Sequence, residues 1–232
     1  MMLKLSVNNP YICQYCGSKY MQEKTLAVHM CEQKRRYLAK DEKHVLIAYQ
    51  AFNRFFQLTQ KQGHNKTHDE FARSPYYNAF VKFGSFVSNI NPLYPEKFIE
   101  YVVRSGVKLD HWCRDSLYEK YVIELIHTES VETALERSIG HMQEWATNNN
   151  SVWNHYFMYV SSNRAVFDIK DGKVSPWLVL NSNSGKTMLA NFRDDQLAAI
   201  STIIDPQIWS KKFKSRKFDV DLVKQIVKEA NL

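Results

Sequence analysis

The sequence predicts a mainly α-helical fold with one small β-hairpin. Three observations lead there. Only 7 Gly and 6 Pro interrupt the 232 residues, so long stretches carry no breaker. Apolar residues recur at spacings of three and four through most of the chain after residue 41, the pattern of amphipathic helices. One stretch, residues 165–180, instead sets an Asp-Gly pair between two runs of β-forming residues. Hydrophobic residues make up 44% and charged residues 24%, within the range of globular domains. That excludes collagen-like, mucin-like and wholly disordered chains.

The helices follow in order. The first long one is expected from near Asp41, with Val45, Leu46, Ala48, Tyr49, Phe52, Phe55, Phe56 and Leu58 on one wide apolar stripe, ending before Gly63. Residues 76–87 repeat the pattern. Pro95 suits a first helical position ahead of Phe98, Tyr101 and Val102. Residues 110–127, through Trp112, Leu117, Tyr121 and Ile126, and residues 130–147, through Ala134, Ile139, Met142 and Trp145, read as two more. The hairpin would run from Val166, Phe167 and Ile169 through Asp171-Gly172 to Val174, Trp177, Leu178 and Val179. Helices close the chain at 194–204, just after Pro206, and at 219–230. This suggests a metal module with a basic tail at 1–40, a helical array at 41–148, and a mixed helical region at 149–232. The last two pack as one domain or as two.

Chemistry concentrates at the N-terminus. Three of the 4 cysteines, Cys13, Cys16 and Cys31, fall close together. A secreted disulfide scaffold would be denser in Cys, so the clustering points to metal ligation in a reducing compartment. The motif is Tyr11-x-Cys13-x2-Cys16-x3-Tyr20-x5-Leu26-x2-His29. Two thiolates on a tight knuckle, eased by Gly17, can face one tetrahedral ion, and the spacer to His29 brings a helix back across the strands. Over residues 11–31 the chain resembles zinc fingers of the two-Cys, two-His family. The resemblance implies a ββα module with a small core of Tyr11, Tyr20 and Leu26, and a structural zinc ion. The chain departs from that family at the fourth ligand. Gln33, Lys34 and Arg35 occupy the positions where it is expected, and none is suitable. Cys31 is the nearby candidate. Two residues apart on a regular helix means about 200° of rotation, so His29 and Cys31 share an ion only if the helix breaks at Met30. The expected ligand set is Cys13, Cys16, His29 and Cys31. The competing readings are an unmetallated Cys pair and a zinc ion with an open position.

The same resemblance places base-reading positions at Gln22, Lys24, Thr25 and Val28. Gln22 suits adenine and Thr25 a base edge, while Val28 reads poorly. The stretch from Glu23-Lys24-Thr25-Leu26 to Glu32-x-Lys34-Arg35-Arg36, with Trp112-Cys113 and Asp205-Pro206 further on, is similar to small zinc-finger proteins of T-even-type tailed phages. That likeness implies an intracellular phage protein of DNA or transcription metabolism, in the host cytoplasm.

Charge agrees with a polyanionic partner. The chain carries +7 overall, and the first 62 residues hold ten Lys and Arg against four acids. Lys34, Arg35 and Arg36 are expected on phosphates. A second basic run, Lys211, Lys212, Lys214, Arg216 and Lys217 with Phe213 and Phe218, suits a single strand, or else is a solvated linker whose two rings are anchored in the core. DNA or RNA is the expected partner, with replication or transcription proteins as further candidates. The alternative is an adaptor whose finger docks onto a protein. No apolar run reaches the roughly 18 residues of a membrane helix, and the first residues are too short and polar for a signal peptide. No spacing of Ser, Cys or carboxylates signals catalysis. Asn183-Ser184-Gly185-Lys186-Thr187 lacks the earlier Gly of a phosphate loop, Leu180 standing in its place. His64 and His68 are four apart, a weak metal pairing. His111 beside Cys113 reads as a surface His next to a core thiol.

Overall fold

The computed structural model describes residues 11–60, 63 and 65–232. The chain forms two compact units that divide between Arg114 and Asp115. Among the described residues the fold is fifteen α-helices and one two-stranded antiparallel sheet. No helix among them is long and apolar enough to cross a membrane.

The first unit opens with β1 (Tyr11–Ile12) and β2 (Lys19–Tyr20), paired with Tyr11 opposite Tyr20. Then come α1 (Glu23–Val28), α2 (Glu32–Leu38), α3 (Lys43–Gln60), α4 (His68–Arg73), α5 (Tyr77–Ile90) and α6 (Pro95–Arg104). The stripe on α3 is buried at Val45, Ala48, Ala51 and Phe52 and packs against α5. The two cross closely because Gly84 has no side chain: a Cβ there would stand 2.1 Å from the His44 carbonyl oxygen. Trp112 is fully buried, its ring set edge-on to Phe80 and Phe83, and its indole N–H donates to the Val107 carbonyl at 2.9 Å. This buried aromatic forms the unit's core, with Phe98, Ile99 and Val102 of α6. Thr67 and Glu70 cap α4 reciprocally. Burial raises the Cys113 thiol.

The second unit holds α7 (Asp115–Thr128), α8 (Val131–Asn148), α9 (Tyr156–Tyr159), α10 (Ser162–Lys170), α11 (Pro176–Asn181), α12 (Asn183–Ala190), α13 (Asp194–Ile200), α14 (Pro206–Ser215) and α15 (Lys217–Ala230). Its centre is Trp177 and Trp209, both fully buried with rings 5.6 Å apart and nearly perpendicular. Asp168, also fully buried, accepts from Tyr156 at 2.7 Å and Arg164 at 2.8 Å, and faces His141 at 2.9 Å. Burial pushes this carboxyl up, but His141, Tyr156 and Arg164 together outweigh that and hold it below the usual range.

Two expectations are corrected. Residues 165–180 are not a hairpin but α10, a turn and α11. Asp171-Gly172 is there as a turn, but it closes a helix. Gly172 sits at φ +73 and its N–H returns to the Ile169 carbonyl at 2.9 Å, a left-handed helix end. Ser175 then caps α11, with Pro176 at its first position. Burial of Ala165, Asp168 and Ile169 on one helical face overrides the β preference of Val166 and Phe167. The helix expected at 110–127 begins only at Asp115, after a 3-10 turn at Leu109–His111 that tucks Trp112 into the first unit. In the run after Leu180, the hydroxyl of the buried Ser182 caps α12 by accepting from the Gly185 N–H at 3.1 Å. A Cβ at Gly185 would meet that same hydroxyl at 2.5 Å, so its bareness serves packing.

Candidate metal centre

The knuckle between the two strands presents the first pair of donors. Cys13 donates its N–H to the Ser18 carbonyl at 2.9 Å, and Gly17 donates back to the Cys13 carbonyl at 2.8 Å. Gly17 sits at φ +73, the left-handed region that glycine adopts without strain. The turn therefore folds Cys13 and Cys16 toward the same side.

The second pair depends on a break in the helix. α1 stops at Val28, and His29 is already extended, at φ −66 and ψ 124. Cys31 is extended too, at φ −77 and ψ 166, and caps α2. In extended chain, residues two apart point to the same side, so His29 and Cys31 face the knuckle while Met30 between them turns to solvent. The break that a two-residue spacing requires is present. Lys34 reinforces it twice, through its backbone N–H to Cys31 Sγ at 3.4 Å and its Nζ to the His29 carbonyl at 3.2 Å.

The ligand atoms of Cys13, Cys16, His29 and Cys31 lie within 4.8 Å of one another. Cys13 Sγ and Cys31 Sγ are 4.0 Å apart, and Cys16 Sγ is 3.3 Å from His29 Nε2. A tetrahedral ion with bonds of about 2.3 Å to sulfur and about 2.0–2.1 Å to nitrogen sets such edges at about 3.5–3.8 Å. The group can therefore hold a metal ion, with Nε2 as the imidazole donor. The other nitrogen, Nδ1, stands 2.7 Å from the Tyr20 hydroxyl. With Nε2 on a metal, Nδ1 carries the proton and donates to that hydroxyl, which fixes ring and tautomer. The Ser18 hydroxyl, 3.1 Å from Cys16 Sγ, leads in drawing that thiol down to about 6, helped by the Ser18 backbone and His29. Loss of water raises the Cys31 thiol, opposed by the Lys34 N–H.

Of the expected small core, none of the three residues is buried: Tyr11 is exposed, and Tyr20 and Leu26 are half-buried. In the finger proper, residues 11–31, Cys13 alone is buried. So little apolar burial cannot hold the module, and ligation of an ion is the physical alternative.

The expected nucleic-acid residues divide sharply. Gln22, Lys24, Thr25 and Arg35 are exposed. Arg36 is not available: its side chain is 12% exposed, donates to the Ala72 carbonyl at 2.6 Å, pairs with Glu32 and lies 4.3 Å over the Tyr77 ring. In the second unit Lys211, Lys214, Arg216 and Lys217 are exposed, with Arg216 3.6 Å from Asp219. Lys212 is structural. Its Nζ reaches the Ile126 and His127 carbonyls at the end of α7 and sits 4.6 Å from the Trp209 ring. Phe213 packs on Trp177 and Trp209, whereas Phe218 is 92% exposed. His68 begins α4; its possible partner His64 lies outside the described residues. Sequence reasoning missed what Tyr20, Ser18 and Lys34 do around the ligands. A Tyr nine residues before the His was visible, but only the fold turns its hydroxyl to Nδ1.

No known protein family, curated protein or solved structure matches the chain.

Proposed function

We propose that Cys13, Cys16, His29 and Cys31 hold one structural zinc ion, and that the finger so built binds nucleic acid in an accessory role without chemistry of its own. Three thiolates and one imidazole leave no open position, which suits a structural zinc. The observation that carries the nucleic-acid reading is α1. It buries none of its six residues and offers Lys24 and Thr25 to solvent beside its exposed cap residue Gln22, with Arg35 exposed on α2. A helix with Leu26 half-buried and none of its residues fully buried leaves most of its surface available for recognition outside the molecule. The reading includes a place in DNA or transcription metabolism, in the host cytoplasm if the chain is phage-encoded. The basic run with the bare Phe218 ring supports contacts by the second unit as well.

A protein-docking reading has its own observation: Met21, two residues before α1, is 72% exposed and Val28 at its end is 81% exposed, and no Arg stands in a base-reading position. Fluorescence anisotropy of the zinc-loaded chain with labelled single- and double-stranded DNA, across a salt series, separates the two. Nucleic-acid binding predicts affinity that falls linearly with log salt. It also predicts that Lys24→Gln with Arg35→Gln lowers the slope by about one to two units. No binding at low salt overturns the reading in favour of docking.

A further inference from the structure

Beside the metal knuckle, within the first unit, lies a cleft of about 380 Å³. Pockets that take small ligands span about 300–1,000 Å³, so there is room for one nucleotide-sized group. One wall is aromatic: Tyr15 of the knuckle and Tyr37 of α2 meet with ring centroids 5.2 Å apart, and Tyr37 remains 44% exposed. Gln33, one turn before Tyr37, adds an amide. Lys40 stands at the rim, its Nζ 4.7 Å from the Tyr37 ring. The opposite wall is α4, with His68, Asp69 and Arg73. Asp69 is held by Arg73 at 3.2 Å on the surface, so the cleft's residual charge is positive. His68 Nε2 is buried without a partner among the described groups, and its ring is fixed against Tyr49 and Phe71. Burial, then Lys40, lowers the pKa of this imidazole.

We infer that this cleft takes one unpaired nucleotide of a single strand. The inference rests on the nucleic-acid reading above and deepens it. The aromatic wall meets the base face, Gln33 meets its polar edge, and Lys40 meets the phosphate. Stacking on an aromatic ring together with a nearby cation is how single strands are held without a fixed sequence. A base inside a duplex cannot reach such a wall. The cleft therefore gives the protein a preference for single strands, which α1 alone would not.

The test uses the zinc-loaded full chain with a short labelled single strand and the matching duplex. Wild type is expected to bind the single strand more tightly. Tyr37→Ala is expected to weaken the single strand by on the order of tenfold or more, Tyr37→Phe to keep it, and Lys40→Gln to weaken it and flatten its salt dependence. Duplex affinity stays unchanged in all three. Metal content and circular dichroism verify that Tyr37→Ala is folded; Lys40→Gln carries the test if it is not. Equal affinity for the two strand forms, or wild-type affinity in a folded Tyr37→Ala or in Lys40→Gln, overturns the cleft while leaving nucleic-acid binding standing. No binding of either form removes the nucleic-acid reading itself, and the cleft with it.

Discussion

The finger at residues 11–31 and the second unit hold themselves together in opposite ways. The finger has two strands of two residues, one helix of six, and a single buried side chain, Cys13. Its order converges on four ligand atoms. The second unit is built around Trp177 and Trp209, fully buried, with Tyr156, Ile169, Leu178 and Val179 buried around them. On the proposed metal reading, one is organised by coordination and the other by burial, within a single chain. The difference teaches where each should fail. A chelator should act on the first, and a cavity on the second.

The largest expected effect is metal removal. Structural zinc contributes about 10–16 kcal/mol in isolated finger peptides at neutral pH. Chelation is expected to lose the finger's structure and the start of α2, which Cys31 caps. The denaturant midpoint of the second unit stays where it was. Amide exchange followed residue by residue checks this, and loss of protection throughout α7–α15 would break the comparison. Trp177→Ala comes next, with an expected cost of about 3–5 kcal/mol in the second unit, read from the urea midpoint. Zinc affinity should not move, since no ligand contact changes.

Tyr20→Phe sharpens the first half of the comparison. It deletes only the hydroxyl that orients His29. Loss of an outer partner of a metal-bound imidazole lowers metal affinity about 10–100-fold, so competition with a chromophoric chelator should show a weaker site of unchanged stoichiometry. The smallest effect is a pH response at α4. The Thr67 N–H, 2.7 Å from its carboxylate, and then Lys66 hold Glu70 down to about 2. A depressed carboxyl contributes stability that is complete above its ordinary value of 4.5 and disappears as pH falls through about 2. A carbonyl-carbon NMR titration of Glu70 should find its midpoint near the lower figure, and a midpoint at 4.5 would remove the capping box.

Much of this was legible in the chain itself. Spacings of three and four located α3, α5, α6 and α8, because helices that bury one face leave that period in the residues. The Cys and His spacing located the knuckle, and the two-residue gap from His29 to Cys31 already required a break at Met30. Residues 165–180 misled because Val166, Phe167 and Val174 favour strands only where a sheet exists to receive them, and here a helical core does. Asp171-Gly172 announces a turn without saying what it joins. Charge was legible, but its use was not. Arg36 and Arg35 are neighbours in sequence, yet one is tied to Ala72, Glu32 and Tyr77 and the other is exposed. The cleft left no trace in the sequence, since Tyr15, Tyr37 and His68 come from three separate segments.

The most direct test of ligand-built order is zinc X-ray absorption on the metal-loaded chain, beside Cys31→Ser. The account predicts a shell of three sulfurs at about 2.3 Å and one nitrogen at about 2.0–2.1 Å. The variant should lose one sulfur. Two sulfurs in the unmodified protein, or a spectrum that Cys31→Ser leaves unchanged, would contradict it.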